Sequence, residues 1–188
     1  MKIGIFGGSF NPPHNMHKNM ALNLIKNDYL DKVVYVPTGN RYNKKDLIDC
    51  KHRYNMLKLM IEKYKDLELS DYELKNTLTY TYQTLNYFKS IYPNDEIYFI
   101  CGSDNLKEIK TWKNYKYILE NYKILVIKRN NDNLDDILMD INSQNIVVAD
   151  IELNNISSTY IRNLNNNLEI NKYLDSKVLK YIKENRLY

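Results

Sequence analysis

The chain has 188 residues, 44% of them hydrophobic, with 27 basic against 23 acidic side chains and a net charge of +4. That length fits one domain able to bury roughly 70% of its unfolded surface, so folding needs no disulfide or structural metal. The dispersed charge lacks the basic patch of a nucleic-acid binder, and no apolar run nears the roughly 18 residues that span a bilayer. Cys50 and Cys101 show no metal-ligand spacing and no signal-peptide core follows Met1, so the expected setting is the reducing cytoplasm, without a membrane partner.

The first β-rich run, residues 3–6, leads into the stretch GGSFNPPHNMH at 7–17 and then a helical face of Met16, Met20, Ala21, Leu24 and Ile25. A second run at 33–36 begins 30 residues after the first, the step of a βαβ unit. Met56, Leu57, Met60 and Ile61 mark a second helix, 67–69 a weak additional strand, and Leu85, Phe88 and Ile91 a third helix ending at Pro93. Runs at 97–100, 124–127 and 146–148 follow, and the chain beyond 154 reads as two helices, one opening at Ser157-Ser158-Thr159 and one near 176–183. The asparagine clusters at 130–131 and 165–167 read as solvated turns. The strands are continuously apolar rather than alternating, as expected when helices cover both faces. The predicted fold is therefore α/β: a doubly wound, mostly parallel Rossmann-like sheet, with a C-terminal helical segment and ligands at the carboxyl ends of its strands.

Gly7 and Gly8 let the backbone turn sharply and admit a ligand without Cβ atoms in the way. The helix that follows presents unpaired N–H groups and the positive end of its dipole, a natural phosphate site. Neither GxGxxG nor GxxxxGK[ST] is complete, which disfavours a dinucleotide fingerprint and a P-loop. His14 and His17 lie three apart at the helix start, where two imidazole donors could converge on one phosphate. His17 is also in phase with Met20, Ala21 and Leu24, so the spacing equally suits a core histidine.

The turn resembles the HxGH motif of the nucleotidylyltransferase superfamily. Further stretches resemble one branch of it, the nicotinate (nicotinamide) mononucleotide adenylyltransferases: VPTGNRYNK, ending in Lys44; TYTYQTL, containing Thr81; YFICGSDNLKEIKTW, with Gly102, Asp104 and Trp112; and ISSTYIR. Met16 stands where that motif usually has glycine, Asn11 where aspartate is frequent, and Asn43 where histidine often precedes the lysine.

The resemblance implies a single nucleotidylyltransferase domain over residues 1–188 that transfers an adenylyl group from ATP to nicotinate mononucleotide, releasing pyrophosphate. It implies that His14 and His17 hold ATP phosphates, that Gly7, Gly8, Ser9 and Phe10 form the turn and present amides, and that Ser157, Ser158 and Thr159 supply a second helix start. Arg162 would hold pyrophosphate through a planar fork; Lys44, Gly102 and Asp104 would serve the nucleotide, and Thr81 and Trp112 the nicotinate end. Magnesium is expected on the triphosphate, since no carboxylate cluster offers a protein cage. Alternatives are a nicotinamide mononucleotide or phosphopantetheine-type acceptor, a cytidylyltransferase, or a nucleic-acid-binding protein whose 18 tyrosines would supply stacking.

Overall fold

A computed structural model describes residues 1–40, 46–76, 78–128, 132–151, 156–164 and 167–188. The strands are β1 (Lys2–Gly8), β2 (Lys32–Pro37), β3 (Leu67–Leu69), β4 (Glu96–Gly102), β5 (Lys123–Ile127) and β6 (Ile146–Ala149). They pair in the order β3-β2-β1-β4-β5-β6, every neighbouring pair parallel. The order reverses between β1 and β4, and parallel sheets open a crevice for ligands at such a switch point.

The helices are α1 (Asn15–Lys26), α2 (Cys50–Ile61), α3 (Tyr72–Lys75), α4 (Thr81–Ile91), α5 (Ser103–Lys107), α6 (Tyr115–Asn121), α7 (Leu134–Ile141), α8 (Ser158–Arg162), α9 (Asn167–Tyr173) and α10 (Ser176–Glu184). They cover both faces, which is why the strands are apolar throughout. On β2, Val33 and Tyr35 pack into the layer holding Leu24 of α1, Met56 and Met60 of α2 and Val178 of α10. Val34 and Val36 pack into the opposite layer, with Leu85 and Phe88 of α4, Leu106 of α5 and Ile118 of α6. Full burial of one such aliphatic or aromatic side chain contributes about 1.5–3 kcal/mol, so the two layers carry most of the driving force.

Among the described residues, no helix is long and apolar enough to cross a membrane. The third predicted helix stops at Ile91, two residues before Pro93. Where the sequence predicts two C-terminal helices there are three, because α8 ends after one turn and a half and the chain restarts as α9 and α10. Asn167 opens α9 rather than lying in a turn, while Asn130, Asn131, Asn165 and Asn166 lie outside the described residues. Helix α10 seats on α2, where His52 Nδ1 and Asn55 Nδ2 each lie 3.0 Å from the Tyr181 hydroxyl.

Candidate active site

A cavity of about 660 Å³ opens at the carboxyl ends of β1 and β4. Its lining brings together nearly all of the residues expected from the sequence: Gly7, Gly8, Ser9, His14 and His17 from the first turn; Gly102, Asp104 and Trp112 after β4; Thr81 at the start of α4; and Ser157, Ser158, Thr159 and Arg162 around α8. Met16 also lines it. Lys44 and Asn43 lie outside the described residues.

A Cβ at Gly7 would meet nothing within 4 Å, so the missing side chain leaves open space. A Cβ at Gly8 would stand 3.1 Å from the Phe10 ring. Phe10 itself does not line the cavity: it is 2% exposed, with φ of 47° and its ring edge-on to Phe6 at 5.2 Å, His17 at 5.0 Å and Tyr35 at 5.7 Å. A bulky residue adopts that left-handed backbone at a cost, and these ring contacts hold it there. Phe10 therefore supports the turn from beneath.

His14 is buried and stacks on His17 at 3.7 Å with ring planes 28° apart. The His14 backbone N–H donates to His17 Nδ1 at 3.2 Å, which places the ring proton of neutral His17 on Nε2. The two readings of His17 thus merge. Its ring packs among aromatic neighbours, as a core residue would, and it also lines the cavity.

Arg162 Nη1 donates to the Asn11 carbonyl at 2.6 Å and Nη2 to Thr159 Oγ1 at 3.4 Å. The Ser158 hydroxyl donates to the Pro12 carbonyl at 2.9 Å, and Ser157 caps α8 by accepting from the Tyr160 N–H at 3.1 Å. Ser158 therefore ties α8 to the first turn, while Ser157 stabilises the start of that helix. Trp112 stands edge-on to Phe99 at 5.5 Å and is half-buried, leaving part of its surface to the cavity.

Three residues have roles at the site that their sequence positions do not reveal. Arg53, on α2, is fully buried and donates to four oxygens: Ile48 O at 3.0 Å, Ser9 O at 2.9 Å, Thr38 Oγ1 at 3.2 Å and Thr38 O at 2.6 Å. It fastens the first turn to the loop after β2 and to the approach to α2. The available signal was a charged residue in phase with the buried stripe of Cys50, Met56, Leu57 and Met60.

Asn11 is the second. Its Nδ2 donates to Asp46 O at 2.7 Å, and its Oδ1 accepts from the Ile48 N–H at 3.4 Å and from the Tyr188 hydroxyl at 2.7 Å. An aspartate there could not donate to Asp46, so the amide has its own structural use in this chain.

Glu73, on α3, is the third. It lines the cavity, its Oε1 accepting from Thr84 Oγ1 at 2.7 Å, and burial pushes its carboxyl up from the ordinary 4.5 to about 7.

Comparison with known proteins follows this geometry. The cytidylyltransferase-like family model matches residues 5–164. A relative from Clostridium tetani, named as a nicotinate-nucleotide adenylyltransferase, is 36% identical, with 100% of this chain and 98% of the relative covered. One of the same name from Acholeplasma laidlawii is 38% identical over 98% and 96%. The chain belongs to the nicotinate-nucleotide adenylyltransferase family. The solved nicotinic acid mononucleotide adenylyltransferase of Plasmodium falciparum, complexed with NaAD, superposes with a TM-score of 0.84 at 25% identity, covering 100% of this chain and 97% of that one.

Arg53→Met strands several buried acceptors at about 1–3 kcal/mol each, so urea unfolding should show a loss of about 3 kcal/mol or more; a loss under about 1 kcal/mol would remove Arg53 as the anchor. Glu73 binds its proton more tightly folded than unfolded, so its contribution to stability falls as pH rises from 4.5 to about 7. The fall is on the order of 3 kcal/mol. Glu73→Gln should flatten that part of the stability profile relative to wild type, and parallel profiles would contradict the assignment.

Proposed function

We propose that this chain transfers the adenylyl group of ATP to nicotinate mononucleotide, forming nicotinate adenine dinucleotide and pyrophosphate. The observation that carries this reading is the convergence of His14, His17 and Arg162 on one cavity that Thr81 and Trp112 also line. One end offers donors and a cation to a triphosphate; the other offers an aromatic plane and a polar helix start to a pyridine nucleotide.

An oxygen of the acceptor's 5′-phosphate attacks the α-phosphorus of ATP, the new O–P bond forms, and the bond to the bridging oxygen of the β-phosphate breaks, releasing pyrophosphate. A phosphate monoester with a second pKa of about 6 is largely dianionic at pH 7, so the step needs no general base. What remains for the protein is positioning and charge stabilisation. His14 and His17 act on the phosphate chain at the turn beside Gly7 and Gly8, and Arg162 takes the departing pyrophosphate. The Arg162 guanidinium is pre-aligned by its bond to the Asn11 carbonyl, which limits the side-chain entropy lost when the anion arrives.

No group of three or more His, Cys, Asp or Glu side chains among the described residues is arranged to hold a metal ion. That donor set fits magnesium carried in on the triphosphate, with Asp104 the cavity carboxylate beside Gly102. When bound, magnesium would supply charge neutralisation through phosphate oxygens and water. ATP and nicotinate mononucleotide are the proposed partners, and the reducing cytoplasm is the proposed setting, where Cys50 and Cys101 remain the free, buried thiols observed.

Pyrophosphate release from ATP across a panel of phosphorylated acceptors tests the reading: nicotinate mononucleotide should give the highest kcat/KM, ahead of its amide and of phosphopantetheine. Release with another acceptor alone would overturn it. His14→Ala and His17→Ala should each slow transfer on the order of 10²–10³-fold while the protein stays folded; full activity with a lowered Tm would leave His17 a core residue only. Arg162→Lys replaces a fork with a point charge, so pyrophosphate inhibition and ATP binding should both weaken. Unchanged values would take Arg162 out of the site.

A further inference from the structure

The proposed reaction gives no task to Glu73, a half-buried carboxyl that lines the cavity. Glu73 sits on α3 with Oε1 occupied by the Thr84 hydroxyl, itself buried at 3% exposure, while Oε2 has no hydrogen-bond partner among the described residues. Its backbone is fixed, since a Cβ at Gly39, in the loop after β2, would stand 2.6 Å from the Glu73 carbonyl oxygen. The Thr79 hydroxyl oxygen is buried and has no hydrogen-bond partner among the described residues, and Thr79 lines the same cavity. Thr81 lines it too and opens α4, the helix whose Thr84 holds Glu73. A protein does not hold an acidic side chain and an unused hydroxyl in an anion-binding cavity for stability, because both are costly to desolvate.

The chemistry of the acceptor narrows what they meet. At neutral pH the phosphate and carboxylate of nicotinate mononucleotide only accept hydrogen bonds, and both would be repelled by Glu73. Its ring nitrogen is quaternary and carries no N–H. The two ribose hydroxyls are its remaining donors, and a carboxylate is a strong acceptor for such a group. Resting on the function proposed above, we infer that Glu73 is a binding residue for the acceptor's ribose: Oε2 accepts from one sugar hydroxyl, and the Thr79 hydroxyl completes the contact. The site thereby selects ribonucleotide over deoxyribonucleotide acceptors.

Steady-state kinetics at pH 8, where Glu73 is ionised, test this with wild type, Glu73→Gln and Thr79→Val against intact, 2′-deoxy and 3′-deoxy nicotinate mononucleotide, and against ATP and 2′-deoxy-ATP. With the intact acceptor Glu73→Gln should raise KM on the order of 10- to 100-fold, the range for losing a hydrogen bond to a charged group. With one deoxy acceptor the wild type should already show that loss, and Glu73→Gln should add little. Thr79→Val, which keeps the carboxyl, should show the same substrate pattern more weakly, so the test survives if Glu73→Gln folds poorly. Equal penalties on the intact and both deoxy acceptors would make Glu73 structural and overturn the proposal, as would a penalty that tracks 2′-deoxy-ATP instead. Wild-type enzyme inactive on nicotinate mononucleotide would refute the proposed function and this inference with it; wild-type activity with an indifferent Glu73→Gln would refute this inference alone.

Discussion

The guanidinium of Arg53 is the constraint on which the site depends. A buried cation is expensive unless its hydrogen bonds are met. Here they are met by carbonyl and hydroxyl oxygens of Ser9, Thr38 and Ile48. Those oxygens belong to the first turn, the loop after β2 and the approach to α2, none of which has regular structure of its own. Four hydrogen bonds from one rigid plane hold three irregular segments in register, and the glycine turn inherits its shape from them.

From that anchor the rest of the phosphate end is assembled by short links. Asn11 joins the turn to Asp46, Ile48 and Tyr188 through its side chain and to Arg162 through its carbonyl. Ser158 adds a second tie between α8 and the turn. Burial raises the Tyr188 hydroxyl pKa, so it stays a neutral donor to Asn11 across the physiological range. The consequence is a set of donors fixed before substrate arrives, and preorganised donors stabilise developing charge without reorganising during the reaction. Glu73 adds a carboxyl to the lining of the same cavity.

The sequence is most informative where one physical requirement acts alone. Continuous apolar runs mark the parallel strands because both faces are buried, and paired glycines before paired histidines mark the turn because glycines admit phosphate closely and imidazoles offer it donors. It is least informative where a residue answers to distant partners. Arg53 interrupts an apolar stripe for a reason visible only when Ser9 and Thr38 are beside it. Tyr188 reaches Asn11 across nearly the whole chain. Glu73 looks like an ordinary surface residue of a short helix until Gly39 and Thr84 enclose it. Helices α5 and α6 are too short to display an apolar period, so neighbouring packing rather than local pattern determines them. At Phe10 the resemblance speaks only to the backbone amide, and the packing of its side chain among Phe6, His17 and Tyr35 becomes visible only in the fold.

Direct transfer requires His14 and His17 to serve as hydrogen-bond donors to phosphate rather than as nucleophiles. The stereochemical course at the α-phosphorus tests this most directly, using ATP made chiral there by sulfur or oxygen-isotope substitution and nicotinate mononucleotide as acceptor. A single in-line attack inverts the configuration, and inversion is the result this account predicts. Retention would require two displacements through an adenylylated side chain and would contradict it.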